Sequence, residues 1–138
     1  KNKKGFIPVV SNAPKDHHSL LQLYLDGPND KFFYIFSSDC KSKLKVNSNI
    51  FGKKMKYLNQ KKYENIKLNQ KKAFIKVLQE KKIQYKEIII RKYDETTIGE
   101  LFFLFILETL LLSKILKVNP YNQPAVERVK ILTKKFLT

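Results

Sequence analysis

Lys31-Phe32-Phe33-Tyr34-Ile35-Phe36 is a continuous apolar run of strand length. Such a run predicts a strand buried on both faces, as in a parallel sheet. Parallel strands need long crossovers, so the flanking sequence must supply helices. About Lys62 to Lys82 does so, with Ile66, Ala73, Phe74, Val77 and Leu78 as its buried stripe and Lys and Gln on its wet face. Ile83 to Arg91 follows as a further strand. Upstream, Gly5-Phe6-Ile7-Pro8-Val9-Val10 reads as a short strand that Pro8 confines to an edge. Ser11 to Asp16 is a loop of turn formers. Asp16 can cap a helix from roughly His17 to Asp26, which stops at Gly27-Pro28. Strand, helix, strand, helix, strand at this spacing predicts an α/β fold with right-handed crossovers.

Ser37 to about Gln60 is polar and irregular, and reads as a long loop with a helical turn. Beyond the last strand, Thr97-Ile98-Gly99-Glu100 has a capping-box pattern and opens a helix to about Val118. Its uninterrupted apolar run, Leu101 to Leu107, is seven residues long. A membrane span would place Glu108 near the bilayer centre at roughly 2.5–3.5 kcal/mol. A helix buried between layers or in a subunit interface is the better reading.

The chain has 138 residues and an apolar fraction of 43%, enough for one domain, taken as 1–138, with a real core. Its 28 basic residues against 12 acids give a net charge of +16. All but Arg91 and Arg128 are lysine, spread as pairs along the chain. Specific phosphate and base recognition leans on arginine forks, so a solvated lysine surface is expected, with neither nucleic acid nor membrane as partner. The single cysteine, Cys40, excludes an internal disulfide framework and fits a reducing, cytoplasmic setting. It reads as a bystander, not a nucleophile. His17 and His18 lack the spacing of a helical metal pair, and the four isolated glycines build no phosphate loop.

Two stretches carry candidate chemistry. Asn119-Pro120-Tyr121-Asn122-Gln123-Pro124-Ala125-Val126-Glu127-Arg128-Val129-Lys130 turns into a final helix, with Pro124 suited to its first position. Gln123, Glu127 and Lys130 fall on one stripe and can point together into a cleft, while Ala125, Val126, Val129, Leu132 and Phe136 anchor the other face. An ordinary amphipathic helix has the same pattern. His18 falls in the first turn of its expected helix, where the partial positive charge favours a neutral imidazole able to exchange protons. A hydrogen-bonded, half-buried histidine explains it equally.

The 119–130 stretch resembles the C-terminal signature of the glucose-6-phosphate isomerase family, roughly N-P-F-D-Q-x-G-V-E-x-x-K. Tyr121, Asn122 and Ala125 depart from it at Phe, Asp and Gly. Asp16-His17-His18-Ser19-Leu20-Leu21-Gln22-Leu23-Tyr24-Leu25-Asp26-Gly27-Pro28 resembles the family's segment around its active-site histidine, usually Gln-His, which puts that histidine at His18. The resemblance covers nearly the whole chain and is weakest over Ser37 to Gln60.

The resemblance implies a partial sugar-isomerase (SIS) type three-layer α/β/α domain, with a short parallel sheet of about three strands and C-terminal helices. It implies interconversion of glucose 6-phosphate and fructose 6-phosphate through a cis-enediol, with no cofactor and no metal. His18 would assist ring opening, Lys130 would stabilise charge on oxygen, and Gln123 would bind or orient the sugar phosphate. The family's base, a glutamate, and its phosphate-binding Ser/Thr cluster belong to upstream segments. The expectation is therefore a C-terminal portion, inactive alone, of an enzyme that works as a homodimer. A non-catalytic sugar-phosphate-binding regulatory module, or a basic nucleic-acid-binding domain, are the alternatives.

Overall fold

The computed structural model describes residues 5–39, 41–48 and 52–138. Cys40, and Ile50 and Phe51 of the expected loop, lie outside the described residues. The chain divides into two compact units, Val9–Lys92 and a second made of residues 1–8 with Tyr93–Thr138.

The Val9–Lys92 unit contains α1 (Leu21–Asp26), β1 (Phe33–Ser38), α2 (Tyr63–Glu80) and β2 (Tyr85–Ile90). The two strands pair in parallel, with Phe33 opposite Tyr85 and Ser38 opposite Ile90. The α/β expectation therefore holds as β1–α2–β2, but the described sheet has two strands, not three. Gly5–Val10 forms no strand and is exposed. A strand needs a partner for its ladder, and Pro8 has no N–H to offer one.

The packing of β1 also differs from expectation. Phe33 and Ile35 are half-buried, whereas Tyr34 and Phe36 are exposed. The inner face meets α2, where the Phe33 ring stands edge-on to Phe74 at 5.7 Å. Continuous apolarity cannot report whether a second layer exists; only the tertiary fold can. On α2, Ile66, Phe74 and Val77 are half-buried and Leu78 is fully buried, while Ala73 is exposed. Leu78 and Ile83 are the buried apolar residues among those described.

The second unit contains α3 (Glu95–Ile115) and α4 (Pro124–Leu137). α3 starts earlier than the Thr97 motif suggests. Asp94 is its N-cap, and its carboxylate accepts the Thr97 N–H at 2.9 Å. The cap satisfies one of the four free N–H groups of the first turn. Asp94→Ala is expected to lower stability by about 1 kcal/mol, read as a shifted urea midpoint at constant slope. The expected burial of α3 between layers does not occur within the chain: Phe102 and Phe103 are each 67% exposed. No helix among the described residues is long and apolar enough to cross a membrane.

α3 closes on Lys117, which adopts φ 54°, while Val118 N–H reaches back to Ser113 C=O at 2.8 Å. That geometry is a left-handed helix stop, which glycine adopts without the Cβ penalty. Lys117→Gly is expected to raise stability by about 0.5–1 kcal/mol, visible as a higher melting temperature.

Candidate active site

The histidine segment belongs to the Val9–Lys92 unit. Its local fold is not the single helix expected. Lys15–His17 is a 3-10 turn, and α1 begins only at Leu21. Asp16 does not cap that helix. Its carboxylate accepts the Asn12 N–H at 2.6 Å, and its carbonyl accepts the Leu20 N–H at 2.9 Å. An aspartate can fold back onto a nearby backbone N–H as readily as onto a helix end, and sequence does not say which. His18 therefore stands between the turn and α1, and the helix-terminus argument for its neutral form does not apply.

The two histidines diverge as their adjacency requires. His17 is half-buried, its ring 5.2 Å from Phe74. Phe33 stands edge-on to Phe74 and, at 6.0 Å, to Tyr24, whose hydroxyl is 2.8 Å from Ser11 Oγ. This run of rings pins the loop before α1 to β1 and α2. His18 is left exposed, its backbone N–H directed at Lys15 C=O. An exposed imidazole on a pinned loop can exchange protons with a ligand. Sequence reasoning did not anticipate the role of Phe74; its signal was a large aromatic on the buried stripe of α2.

Aspartates beside this segment carry the resolved electrostatics. The Asp26 carboxyl is held below its usual range by the Lys81 ammonium, which hydrogen-bonds to it, and further by Gln22. Asp30 is lowered by its bond from Lys31. In the other unit, Asp94 is lowered by the Thr97 cap. Each folded pKa lies below its unfolded value near 3.9. Their contribution is thus present above about pH 4 and lost as pH falls through the depressed folded values. Chemical unfolding at pH 3 against pH 6 is expected to show this loss, and Asp26→Asn is expected to flatten it.

Gln123 and Lys130 belong to the second unit. Asn119 Oδ1 accepts the Tyr121 N–H at 2.8 Å, shaping the turn. Pro124 takes the first helical position, as its fixed φ predicts, and Gln123 is the N-cap. The Gln123 carbonyl accepts the Glu127 N–H at 3.1 Å, and its side chain makes no cap bond. Lys130 Nζ lies 2.7 Å from Glu127 Oε1. The shared stripe is thus real for Glu127 and Lys130. They sit on an exposed surface, 60% and 67% accessible, rather than in a cleft. The apolar face does not anchor the helix as expected. Val126, Val129 and Phe136 are exposed, and only Leu132 of that face is half-buried. An amphipathic pattern states that a helix has an apolar face, not that the chain covers it.

No family model matches the chain. A glucose-6-phosphate isomerase of Methanocaldococcus jannaschii is 32% identical over 134 residues, 94% of this chain and 32% of that protein. The chain is a homologue of the glucose-6-phosphate isomerases. The isomerase of Campylobacter jejuni is 29% identical over 96% of the chain and 33% of its own length. Among solved structures, a hypothetical protein of Thermus thermophilus superimposes with a TM-score of 0.72 at 25% identity, over 91% of the chain and 31% of that protein. The chain spans about a third of the length of these isomerases, as a C-terminal portion bearing the signature would.

Proposed function

We propose that this chain supplies His18, Gln123 and Lys130 to a sugar-phosphate isomerase that interconverts glucose 6-phosphate and fructose 6-phosphate. The observation that carries the reading is the histidine block and the 119–130 signature in one chain, in family order, within an alignment to named isomerases over 94% of its length. Opening the sugar ring needs a proton delivered to the ring oxygen, and an exposed imidazole on a pinned loop suits that step. Transferring hydrogen between C1 and C2 leaves negative charge on an enediol oxygen. The Lys130 ammonium can meet that charge by exchanging Glu127 for substrate. The Gln123 amide, unused in capping, is free to orient a hydroxyl. The carbon-bound proton needs a carboxylate base, which the resemblance assigns to a glutamate outside this chain. The complete enzyme, in this reading, has a sugar-isomerase type fold, works in the cytoplasm as a homodimer, and needs no cofactor.

The test has two arms. A coupled assay for fructose 6-phosphate conversion is expected to show no turnover by the 138-residue chain alone. Grafting the chain in place of the matching third of the Methanocaldococcus jannaschii isomerase is expected to give a folded, active chimaera. A folded but inactive chimaera counts against the reading, and turnover by the isolated chain counts against a base from outside.

A further inference from the structure

Residues 41–62 hold eight lysines, at 41, 43, 45, 53, 54, 56, 61 and 62, and no acid. That is 8 of the 26 lysines in 22 of 138 residues, about twice an even share. The segment is also where the isomerase resemblance is weakest, so isomerase chemistry does not account for it.

The lysines are concentrated already in sequence, and the backbone ties the two ends of their segment together. Val46 N–H bonds to Lys61 C=O at 3.0 Å, Gln60 N–H to Val46 C=O at 2.9 Å, and Tyr63 N–H to Leu44 C=O at 3.0 Å. Ser48 N–H adds a bond to Asn59 Oδ1 at 3.2 Å. The two arms of the loop are thereby closed on each other, with a 3-10 turn, Lys53–Leu58, near its tip. Lys45 and Lys62 form an antiparallel bridge. The bonds on either side of that bridge make it the non-hydrogen-bonded kind, whose side chains lie closest on one face. Like charges placed so repel. Among the described ion pairs of this loop, the Glu64 carboxylate, 3.8 Å from Lys62, is what offsets them. All eight lysines are exposed, and among them Tyr57 presents its ring at 69% exposure.

We infer that this lysine loop docks single-stranded nucleic acid through its phosphate backbone. Eight exposed ammonium groups on one short segment, two of them paired across its arms, suit a polyanion, because each phosphate neutralised releases counterions. Tyr57 offers a stacking platform that needs an unpaired base. The loop has no arginine, the residue that most often reads base edges, so binding is independent of sequence. The site uses none of His18, Gln123 and Lys130, and stands whether or not the isomerase reading does.

The test is fluorescence anisotropy with a labelled 20-nucleotide oligothymidylate across a salt series. Replacing Lys43, Lys45, Lys54 and Lys56 together by Gln is expected to weaken binding at least tenfold. It should also reduce the slope of log K against log salt by roughly 3, about 0.7 for each phosphate no longer neutralised. Removing the same charge elsewhere, with Lys72, Lys76, Lys134 and Lys135 changed to Gln, is expected to cost less than threefold. The four loop lysines changed to Arg keep binding, which separates charge from misfolding. Tyr57→Ser is expected to weaken oligothymidylate about tenfold while leaving heparin binding unchanged. Equal losses from the loop and control variants would overturn the inference in favour of a bulk charge effect. So would loop-dependent binding to vesicles with 30% anionic lipid that oligothymidylate does not compete for.

Discussion

Lys130→Ala in the active chimaera is expected to cut turnover of fructose 6-phosphate by about 10²–10³-fold, the cost typical of removing one group that meets developing negative charge. Stability should hardly change. Lys130 is two-thirds exposed and its structural partner is Glu127, one turn away on the same helix. Such surface pairs contribute only about 0.2–0.5 kcal/mol. His18→Ala is expected to behave alike, losing about 10²-fold or more in turnover. Among the described residues His18 makes no ring contact of the kind His17 makes with Phe74, and it is exposed, so its replacement spares the packing. His17→Ala is the contrasting variant, expected to lose stability first. An intact rate in Lys130→Ala, with substrate saturation reached, would remove the lysine from the chemistry.

Leu78→Ala is expected to destabilise the Val9–Lys92 unit by about 3 kcal/mol. Leu78 is fully buried, at 0% exposure, on the α2 face that meets the sheet. Truncation loses the transfer energy of three carbons and leaves a cavity that rigid neighbours fill poorly. The effect is large because the apolar core is small: Ile83 is the other buried apolar residue among those described. A total stability of about 5–15 kcal/mol leaves little to spare. The measurement is urea unfolding by circular dichroism, with Leu68→Ala, at an exposed site of the same helix, as control. A midpoint shift equivalent to less than about 1 kcal/mol would mean that Leu78 is not the centre of this core.

The elements themselves were largely legible. The 3.6-residue period of α2, the stop at Gly27-Pro28 and the proline start of α4 are local signals, and the structure follows them. The polar Ser37 to Gln60 stretch, read as a loop with a helical turn, does carry such a turn at Lys53–Leu58, but its first two residues belong to β1. Failures came where two local outcomes have similar energy. Asp16 could cap a helix or turn back to Asn12, and it turned back. Thr97 and Glu100 formed a plausible capping box, but Asp94 captured the Thr97 N–H first. At Asp16 one carboxylate had two sets of N–H groups within reach; at Thr97 one N–H had two carboxylates, Asp94 and Glu100, within reach; in each case the surrounding backbone chose.

The sequence by itself determined the α/β class, the parallel pairing through a helical crossover, the candidate residues His18, Gln123 and Lys130, and the kinship with isomerases. These follow from period, turn chemistry and motif order, all written locally along the chain. Tertiary structure alone decided that β1 is covered on one face, that α3 and α4 keep apolar faces exposed, and that His17 is the packed histidine. It alone closed the two arms of the lysine-rich 41–62 segment on each other. Burial and charge density depend on which distant segments meet, and no local pattern encodes that meeting.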